Sequence, residues 1–143
     1  MLIRELMTDK VITVAADATL GDALFLLRKH HVRHLPVLQN GSLRGMISAR
    51  DVEGWLTPRI ATADEQEGEA EALDYVIEDV MSTSLHTIRD TDDVALAAET
   101  LAEQRIGAVP VLDKGGDCIG IVTTVDLLRE FARRLREEAP EGR

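Results

Sequence analysis

Two copies of one short motif hold the residues of this sequence that are best suited to binding chemistry. Residues 45–51 (GMISARD) return as residues 120–126 (GIVTTVD). In each copy an apolar strand end leads to a hydroxyl, and an aspartate follows three residues later. If a helix begins at the hydroxyl, both side chains lie on one face of its first turn. These pairs are Ser48 with Asp51, and Thr123 with Asp126.

Each member of the pair has a chemical role and a structural role open to it. The hydroxyl can cap the helix or hold a phosphate at the positive helix end. The aspartate can accept two hydrogen bonds from a diol such as a ribose. It can also do no more than stabilise the helix dipole, by about 0.3–1 kcal/mol. Because the pair occurs twice in the same context, we favour a binding role.

The motifs belong to a longer internal repeat. Met7-Thr8 is answered by Met81-Ser82, and residues 35–38 by residues 109–112, both at an offset of 74 residues. The motifs themselves are offset by 75 residues, so one residue has been added in the turn that precedes the second copy. Agreement in order and spacing over about 50 residues indicates a duplicated structural unit.

The first repeat predicts the order strand, helix, strand, strand, helix. The strands are expected at residues 11–14, 35–38 and 43–47. Thr19 caps a helix that runs to about His30, with apolar residues at helical spacing. Pro36 lacks a backbone donor and is therefore expected at a sheet edge or strand end. An Asn40-Gly41 turn joins the last two strands, and the second helix is predicted to end near Trp55, before Pro58.

The second repeat predicts the same order. Strands are expected at residues 85–88, 108–112 and 118–122. Asp93 is positioned to cap a helix with the apolar spacing of the first repeat, and the last helix is expected over about residues 124–137. We therefore divide the chain into a first repeat (1–56), an acidic linker (57–73), a second repeat (74–137) and a disordered tail (138–143). The linker is predicted to be a solvated connector, with a docking site for a basic partner as the alternative.

Composition narrows the classes of function. The chain has 143 residues, of which 45% are hydrophobic and 29% charged, as is typical of a soluble globular protein. Its net charge of −10 argues against nucleic acid or an anionic membrane as a partner. Cys118 is the single cysteine, no apolar run is long enough to span a membrane, and no signal-peptide pattern opens the chain. These features predict a cytoplasmic protein. His30-His31 reads as a solvated helix end, and no metal site is predicted.

The duplicated features resemble a tandem pair of CBS domains, a Bateman module. The matching features are the hydrophobic-Met-hydroxyl segments at residues 6–8 and 80–82, the valines after Pro36 and Pro110, the two motif glycines, and the two hydroxyl-x-x-aspartate ends. The resemblance implies an α+β fold of two βαββα repeats, packed sheet to sheet with pseudo-twofold symmetry and with two clefts between them. It also implies a stand-alone regulatory module that binds AMP, ADP or ATP, with S-adenosylmethionine or NAD as alternatives.

The resemblance assigns site residues by position. Ser48 and Asp51 are expected to line a first cleft with Arg33 and His34 facing phosphate, and its base pocket is expected to be formed by Leu85, Thr87, Ile106, Gly107 and Ala108. Thr123 and Asp126 are expected to line a second cleft with Thr8, Val11, Thr13, Val32 and the backbone of Arg33 and His34. In the second cleft, Gly107 and Ala108 take the places of the phosphate-facing pair. The second cleft is therefore expected to bind phosphate more weakly than the first. For Arg50 two alternatives stay open: its side chain reaches the phosphate, or it points into water.

Two classes of function remain. The first is a regulatory nucleotide-binding module that acts on an unknown target protein. The second is an interaction or scaffold module without a ligand. An enzyme is not predicted, because the sequence shows no nucleophile-base pair, metal cluster or Walker-type loop. The apolar stripe of Leu128, Phe131 and Leu135 needs cover, as does the helix with Val52, Trp55 and Leu56, and both predict a homodimer.

Overall fold

The computed structural model describes the backbone of residues 1–62 and 71–139, and the side chains of 1–56 and 71–139. Its α-helices and strands, in chain order, are α1 (Ile3–Leu6), β1 (Val14–Ala15), α2 (Leu20–Lys29), β2 (His34–Gln39), β3 (Ser42–Ser48), α3 (Ala49–Thr62), β4 (Ile88–Arg89), α4 (Val94–Gln104), β5 (Ala108–Leu112), β6 (Cys118–Thr123) and α5 (Thr124–Glu138). A 3-10 turn, Ile77–Asp79, precedes β4. Residues 57–62 of the predicted linker belong to α3, and its residues 63–70 lie outside the described residues, as do residues 140–143 of the predicted tail.

Two compact units divide the chain, and each contains one three-stranded sheet. The first unit is Ile12–Leu85, and the second combines Met1–Val11 with His86–Arg143. In the first unit the strand order is β1-β2-β3, and in the second it is β4-β5-β6. In both, the outer short strand is parallel to the central strand and the hairpin partner is antiparallel. The α+β class and the repeated order of elements are confirmed.

Local signals place the helix starts and the hairpin turn as predicted. The Asp22 N–H donates to Thr19 Oγ1 at 3.2 Å, which caps α2. The Ala95 N–H donates to Asp93 Oδ1 at 2.8 Å, which caps α4. Asn40 and Gly41 both have positive φ, 52° and 81°, as a two-residue hairpin turn with the right twist requires.

The short outer strands correct two of the predicted boundaries. The strand expected at residues 11–14 is only Val14–Ala15, and the strand expected at 85–88 is Ile88–Arg89. Each pairs with only two residues of its central strand. The β-branched residues before them have the propensity for a strand but no ladder partner, and propensity alone does not form one.

Pro36 occupies a central strand, contrary to the prediction. It lies opposite Met46, whose backbone N–H and C=O bond Ser82 and therefore face away from β2. In an antiparallel pair the residue opposite then also points its backbone nitrogen outward. On that side of β2, the pairing with β1 begins only at Val37, one residue after Pro36. The missing donor of Pro36 is therefore not needed by the hairpin, and Pro110 repeats this arrangement opposite Ile121.

Helix α3 is longer than predicted. It continues through Pro58 to Thr62, although the sequence predicted an end near Trp55. A proline inside a helix removes the bond to the carbonyl four residues earlier. That carbonyl belongs to Gly54, an exposed residue at which water can replace the lost donor.

Each sequence repeat begins with a segment that precedes its first strand, which we call its lead-in. The lead-in of each repeat packs in the unit formed mainly by the other repeat. Ile3 is fully buried in the core of the second unit, and its counterpart Ile77, 74 residues later, is fully buried in the core of the first. Thr8 forms a two-way backbone bridge with Ile121, and Ser82 forms one with Met46. The compact units are thus built from an exchange of lead-ins that the linear repeats do not reveal.

The motif glycines are explained by these crossings. A Cβ on Gly45 would lie 2.6 Å from Met81 Sδ and 2.7 Å from the Ser82 carbonyl oxygen. A Cβ on Gly120 would lie 2.6 Å from Met7 Sδ and 3.0 Å from the Thr8 carbonyl oxygen. Only glycine lets the lead-in backbone approach β3 and β6 this closely.

The expectation that α3 needs outside cover is wrong. Val52 is fully buried in the first core, Trp55 and Leu56 are half-buried against that core, and Trp55 packs against Tyr75 with ring centroids 5.5 Å apart. In contrast, the α5 stripe of Leu128, Phe131 and Leu135 is exposed as predicted. Among the described residues, no helix is long and apolar enough to cross a membrane.

Candidate functional site

The first motif forms a reciprocal cap at the start of α3. The Ser48 N–H donates to Asp51 Oδ2 at 2.9 Å, and the Asp51 N–H donates to Ser48 Oγ at 3.1 Å. Both residues are half-buried. The predicted helix start is therefore confirmed, with the hydroxyl as its cap and the aspartate in its first turn.

The second motif repeats this geometry at the start of α5. The Thr123 N–H donates to Asp126 Oδ2 at 2.8 Å, and the Asp126 N–H donates to Thr123 Oγ1 at 3.3 Å. The hydroxyl of Thr123 also donates to Asp126 Oδ2, at 3.0 Å. In both motifs one carboxylate oxygen, Oδ2, makes the cap. No described residue donates a hydrogen bond to the other oxygen, Oδ1. This oxygen can therefore accept a hydrogen bond from an external donor.

Positive charge lies beside the first motif. The Ala49 N–H donates to the Arg33 carbonyl oxygen at 2.8 Å, and His34 lies opposite Ser48 in the β2–β3 pair. Burial lowers the pKa of His34, and the charge of Arg33 lowers it further, while Asp51 opposes the shift. The structure therefore brings the four predicted residues Arg33, His34, Ser48 and Asp51 to one end of one sheet.

The second motif has the same backbone frame without that charge. The Thr124 N–H donates to the Gly107 carbonyl oxygen at 3.0 Å, and Ala108 lies opposite Thr123. Gly107 and Ala108 thus occupy the places that Arg33 and His34 occupy in the first unit. The predicted difference between the two positions is a difference of side chains on a shared backbone arrangement.

The other predicted site residues are divided between the units. Thr13, Val32 and Leu85 belong to the first unit, and Thr8, Val11, Thr87 and Ile106 to the second. Thr8 bridges Ile121, two residues before Thr123, so it does accompany the second motif within its unit. The predicted base pocket of Thr87, Ile106, Gly107 and Ala108 belongs to a different unit from Asp51. That combination stays a prediction.

Arg129 is a neighbour of the second motif that the sequence reasoning missed. It lies three residues after Asp126 on α5, and both line a pocket of about 270 Å³ together with Leu6, Glu130 and Arg133. Arg133 and Arg134 both pair with Glu130, whose pKa their hydrogen bonds lower to about 2. The i, i+3 spacing of Asp126 and Arg129 was a readable signal. Charged residues of both signs therefore lie around Asp126. Beside Asp51, Arg33 supplies a positive charge at the start of β2.

Comparison with known proteins places the chain in a family. The model of the CBS domain matches residues 3–57 and again residues 77–133. This chain belongs to the CBS domain family, with two copies of the domain in tandem. A CBS domain-containing protein of Dictyostelium discoideum is 33% identical over 149 residues, which cover 99% of each chain.

Two solved structures are similar over nearly the whole chain. One is CBSX2 of Arabidopsis thaliana in complex with AMP, with 27% identity and a TM-score of 0.76, covering 94% of this chain and 98% of that one. The other is the CBS domain pair of protein MJ0100 in complex with 5′-methylthioadenosine and S-adenosyl-L-methionine. It has 26% identity and a TM-score of 0.76, covering 92% of this chain and 99% of that one. Both ligand sets contain an adenosine group.

Proposed function

We propose that this chain is a regulatory module that binds an adenosine nucleotide and signals to a target protein. AMP, ADP and ATP are the proposed ligands, with S-adenosylmethionine or NAD as alternatives. The observation that carries the proposal is the duplicated cap, in which Oδ2 of Asp51 or Asp126 is held by the backbone and Oδ1 faces no described donor. A fixed, half-buried carboxylate at a helix start is suited to a ribose diol.

Arg33 and His34 support a phosphate group at the first of these positions. The guanidinium is a permanent charge that can donate to phosphate oxygens, and a protonated imidazole adds a second donor. The α3 N-terminus contributes a partial positive charge at the same end of the sheet.

A ligand-free interaction module is the second candidate. It is favoured by one observation: both hydroxyl–aspartate pairs already have a structural role as reciprocal caps. Such caps stabilise a helix by about 1 kcal/mol without a ligand. If the chain is a ligand-free interaction module, the two motifs serve only to stabilise the fold, and the surface that binds a protein partner lies elsewhere.

A thermal-shift screen separates the two candidates. A ligand present at about 100 times its dissociation constant adds roughly 2.7 kcal/mol to the free energy of unfolding. We expect AMP, ADP or ATP to raise the melting temperature by several degrees, and GMP to raise it much less. The absence of a shift with every adenosine compound, including S-adenosylmethionine and NAD, would favour the ligand-free module.

Binding of a phosphate-bearing nucleotide is expected to strengthen as the pH falls below neutral. His34 is largely neutral at pH 7 in the free protein, because burial and Arg33 lower its pKa. A nearby phosphate favours the imidazolium, so binding takes up a proton and affinity rises as the pH falls toward the lowered pKa of His34. Each unit by which binding raises the pKa is worth up to about tenfold in affinity.

Calorimetry at about pH 7.5 and about pH 5.5 tests this coupling. The ligand phosphate also titrates in this range, so the readout is the difference between the wild-type chain and His34→Gln. Adenosine, which has no phosphate, serves as the second control. An equal pH dependence of AMP affinity in the two chains would show that His34 does not face the phosphate.

We also propose that the chain is a homodimer. The exposed apolar stripe of α5 is unlike the covered face of α3, and an exposed stripe of this kind marks an interface. Light scattering at micromolar concentration is expected to give twice the 15.7 kDa mass of the chain. A mass of 15.7 kDa under these conditions would contradict the proposal.

A further inference from the structure

We infer that one side of α2 is a docking surface for a short acidic segment of the target protein, a segment that carries an apolar side chain beside its carboxylates. The inference rests on the target protein proposed above, but not on nucleotide binding and not on the homodimer. It names the surface at which that protein binds and the chemistry of the segment that is bound.

The docking surface is an open recess along α2, which we call the α2 recess. It has a volume of about 460 Å³, large enough to take an apolar side chain of a partner. At its edge Phe25 is 61% exposed, the largest exposed fraction of any large apolar side chain in the described part of the chain. An exposed aromatic ring beside a recess is typical of a site at which a partner binds. The residues that line the recess are Gly21, Leu24, Phe25, Arg28, Lys29 and Leu73.

The corresponding helix of the second repeat, α4, lacks the key residues of this surface. At the 74-residue offset, Glu99 corresponds to Phe25. Glu103 corresponds to Lys29, and an alanine corresponds to Arg28. Both repeats form the same three-stranded unit, so the fold of a repeat requires neither an exposed phenylalanine nor two cations at these places. We therefore attribute these residues to a contact that only the first repeat makes.

Positive charge at one end of the α2 recess favours an acidic partner. Arg28 and Lys29 lie exposed in the last turn of α2, and no described carboxylate forms an ion pair with either. The Nζ atom of Lys29 lies 5.6 Å from the centroid of the Phe25 ring. A carboxylate next to an apolar side chain can therefore meet a cation while its neighbour meets the ring. Since the net charge of the chain is −10, an acidic segment is repelled by most of the surface and attracted here.

The opposite end of the α2 recess gives the bound segment a direction. A Cβ on Gly21, in the first turn of α2, would lie 3.6 Å from the Leu73 Cβ, so Leu73 lies at the end of the helix away from the cations. The exposed acidic residues Glu71 and Asp74 lie close to Leu73 in the chain and disfavour a carboxylate at that end. The carboxylates of the bound segment are therefore expected at the last turn of α2, and its apolar side chain nearer Leu73.

An array of short synthetic peptides, measured without nucleotide, tests the inference. Each peptide combines one leucine or phenylalanine with several aspartates or glutamates at varied spacing, and a matched peptide carries asparagine or glutamine in place of the acids. The wild-type chain is expected to bind the best acidic peptides at least about tenfold more tightly than their amide counterparts, and less tightly as the salt concentration rises. Equal binding of the two sets, or no binding of either, would overturn the inference.

Two variants of α2 and two matched controls locate the binding site. Phe25→Ala and Lys29→Glu are each expected to weaken binding of the best acidic peptide by about tenfold or more. Leu96→Ala removes a 43% exposed apolar side chain from α4, and Lys114→Glu makes the same change of net charge in the β5–β6 turn. Neither control is expected to change the affinity, and all four chains should melt close to the wild-type temperature. Equal weakening in the α2 variants and the controls would overturn the assigned surface.

Light scattering distinguishes a partner protein from a second copy of the chain. The α2 variants are expected to leave the mass in solution at its wild-type value. A lower mass for Phe25→Ala, but not for Leu96→Ala, would show that a second copy occupies the α2 recess and would overturn the assignment to a partner. Because the peptides are measured without nucleotide, a negative result with them leaves the proposed nucleotide binding untouched.

Discussion

Replacing Asp51 by alanine is expected to remove the tighter nucleotide site, whereas Asp126→Ala leaves that site nearly intact. His34 lies opposite Ser48 with Arg33 before it, whereas uncharged Ala108 lies opposite Thr123 with Gly107 before it. A charge-assisted hydrogen bond to phosphate contributes roughly 1.5–3 kcal/mol, or about 10- to 100-fold in affinity. The Asp51 position should therefore bind AMP, ADP or ATP more tightly.

Arg129 makes the difference between the two positions smaller than the sequence suggested. It lines a pocket with Asp126, Glu130 and Arg133, and Glu130 is already paired with Arg133 and Arg134. Because Gly107 and Ala108 add no charge, the second position is still expected to prefer a less anionic adenosine compound or to stay empty. Equal weakening of nucleotide binding by Asp51→Ala and Asp126→Ala in calorimetry would show that the asymmetry is wrong.

The alanine variants also remove helix caps, and this effect needs its own control. Asp51→Asn keeps one acceptor for the Ser48 N–H, but it removes the charge and replaces the other carboxylate oxygen by an NH2 donor. It should weaken nucleotide binding with a smaller change in melting temperature than Asp51→Ala. If Asp51→Asn bound nucleotide as the wild-type chain does, the carboxylate would have no part in ligand binding.

Gly45→Ala is expected to destabilise the fold by about 1–3 kcal/mol, as inserting a methyl group into a packed site typically does. The new Cβ would meet Met81 Sδ at 2.6 Å and the Ser82 carbonyl oxygen at 2.7 Å. The methionine can move, but the carbonyl belongs to a backbone that is bridged to Met46 in both directions. Gly120→Ala should behave similarly against the lead-in at Thr8.

Gly54 provides the matched control for these substitutions. It lies within α3, and apart from the helix's own backbone and the two chain neighbours no described atom lies within 4 Å of a Cβ built there. Gly54→Ala should therefore stabilise the chain by up to about 1 kcal/mol, the helix propensity difference. Urea unfolding of the three variants measures both effects. A neutral Gly45→Ala would contradict the close crossing of the lead-in over β3.

Local signals in the sequence predicted the elements that depend on local physics. Thr19, Asp93, Asn40-Gly41 and the two hydroxyl–aspartate pairs each specify a cap or a turn through their own backbone, and all are observed. The predicted end of α3 was wrong because Pro58 removes only one backbone hydrogen bond, and the carbonyl that loses it, on Gly54, is exposed to water.

The exchange of lead-ins could not be read from local patterns. Ile3 and Ile77 show only that each lead-in has an apolar residue, and the core in which each is buried depends on long-range packing. The cover of Trp55 by Tyr75 depends on the same packing. The motif glycines and methionines lie where the lead-ins cross the strands. Their spacing in the sequence does not show, however, which lead-in crosses which strand. The cytoplasmic location, the target protein and the residues completing each cleft stay predictions.

A crystal structure of the chain with AMP tests the central claim most directly. The account predicts a ribose whose hydroxyls lie about 3 Å from the Asp51 carboxylate, within hydrogen-bond distance, with the phosphate directed toward Arg33 and His34. Nucleotide density at a surface without either aspartate, or two aspartates that remain only as helix caps at saturating AMP, would contradict it.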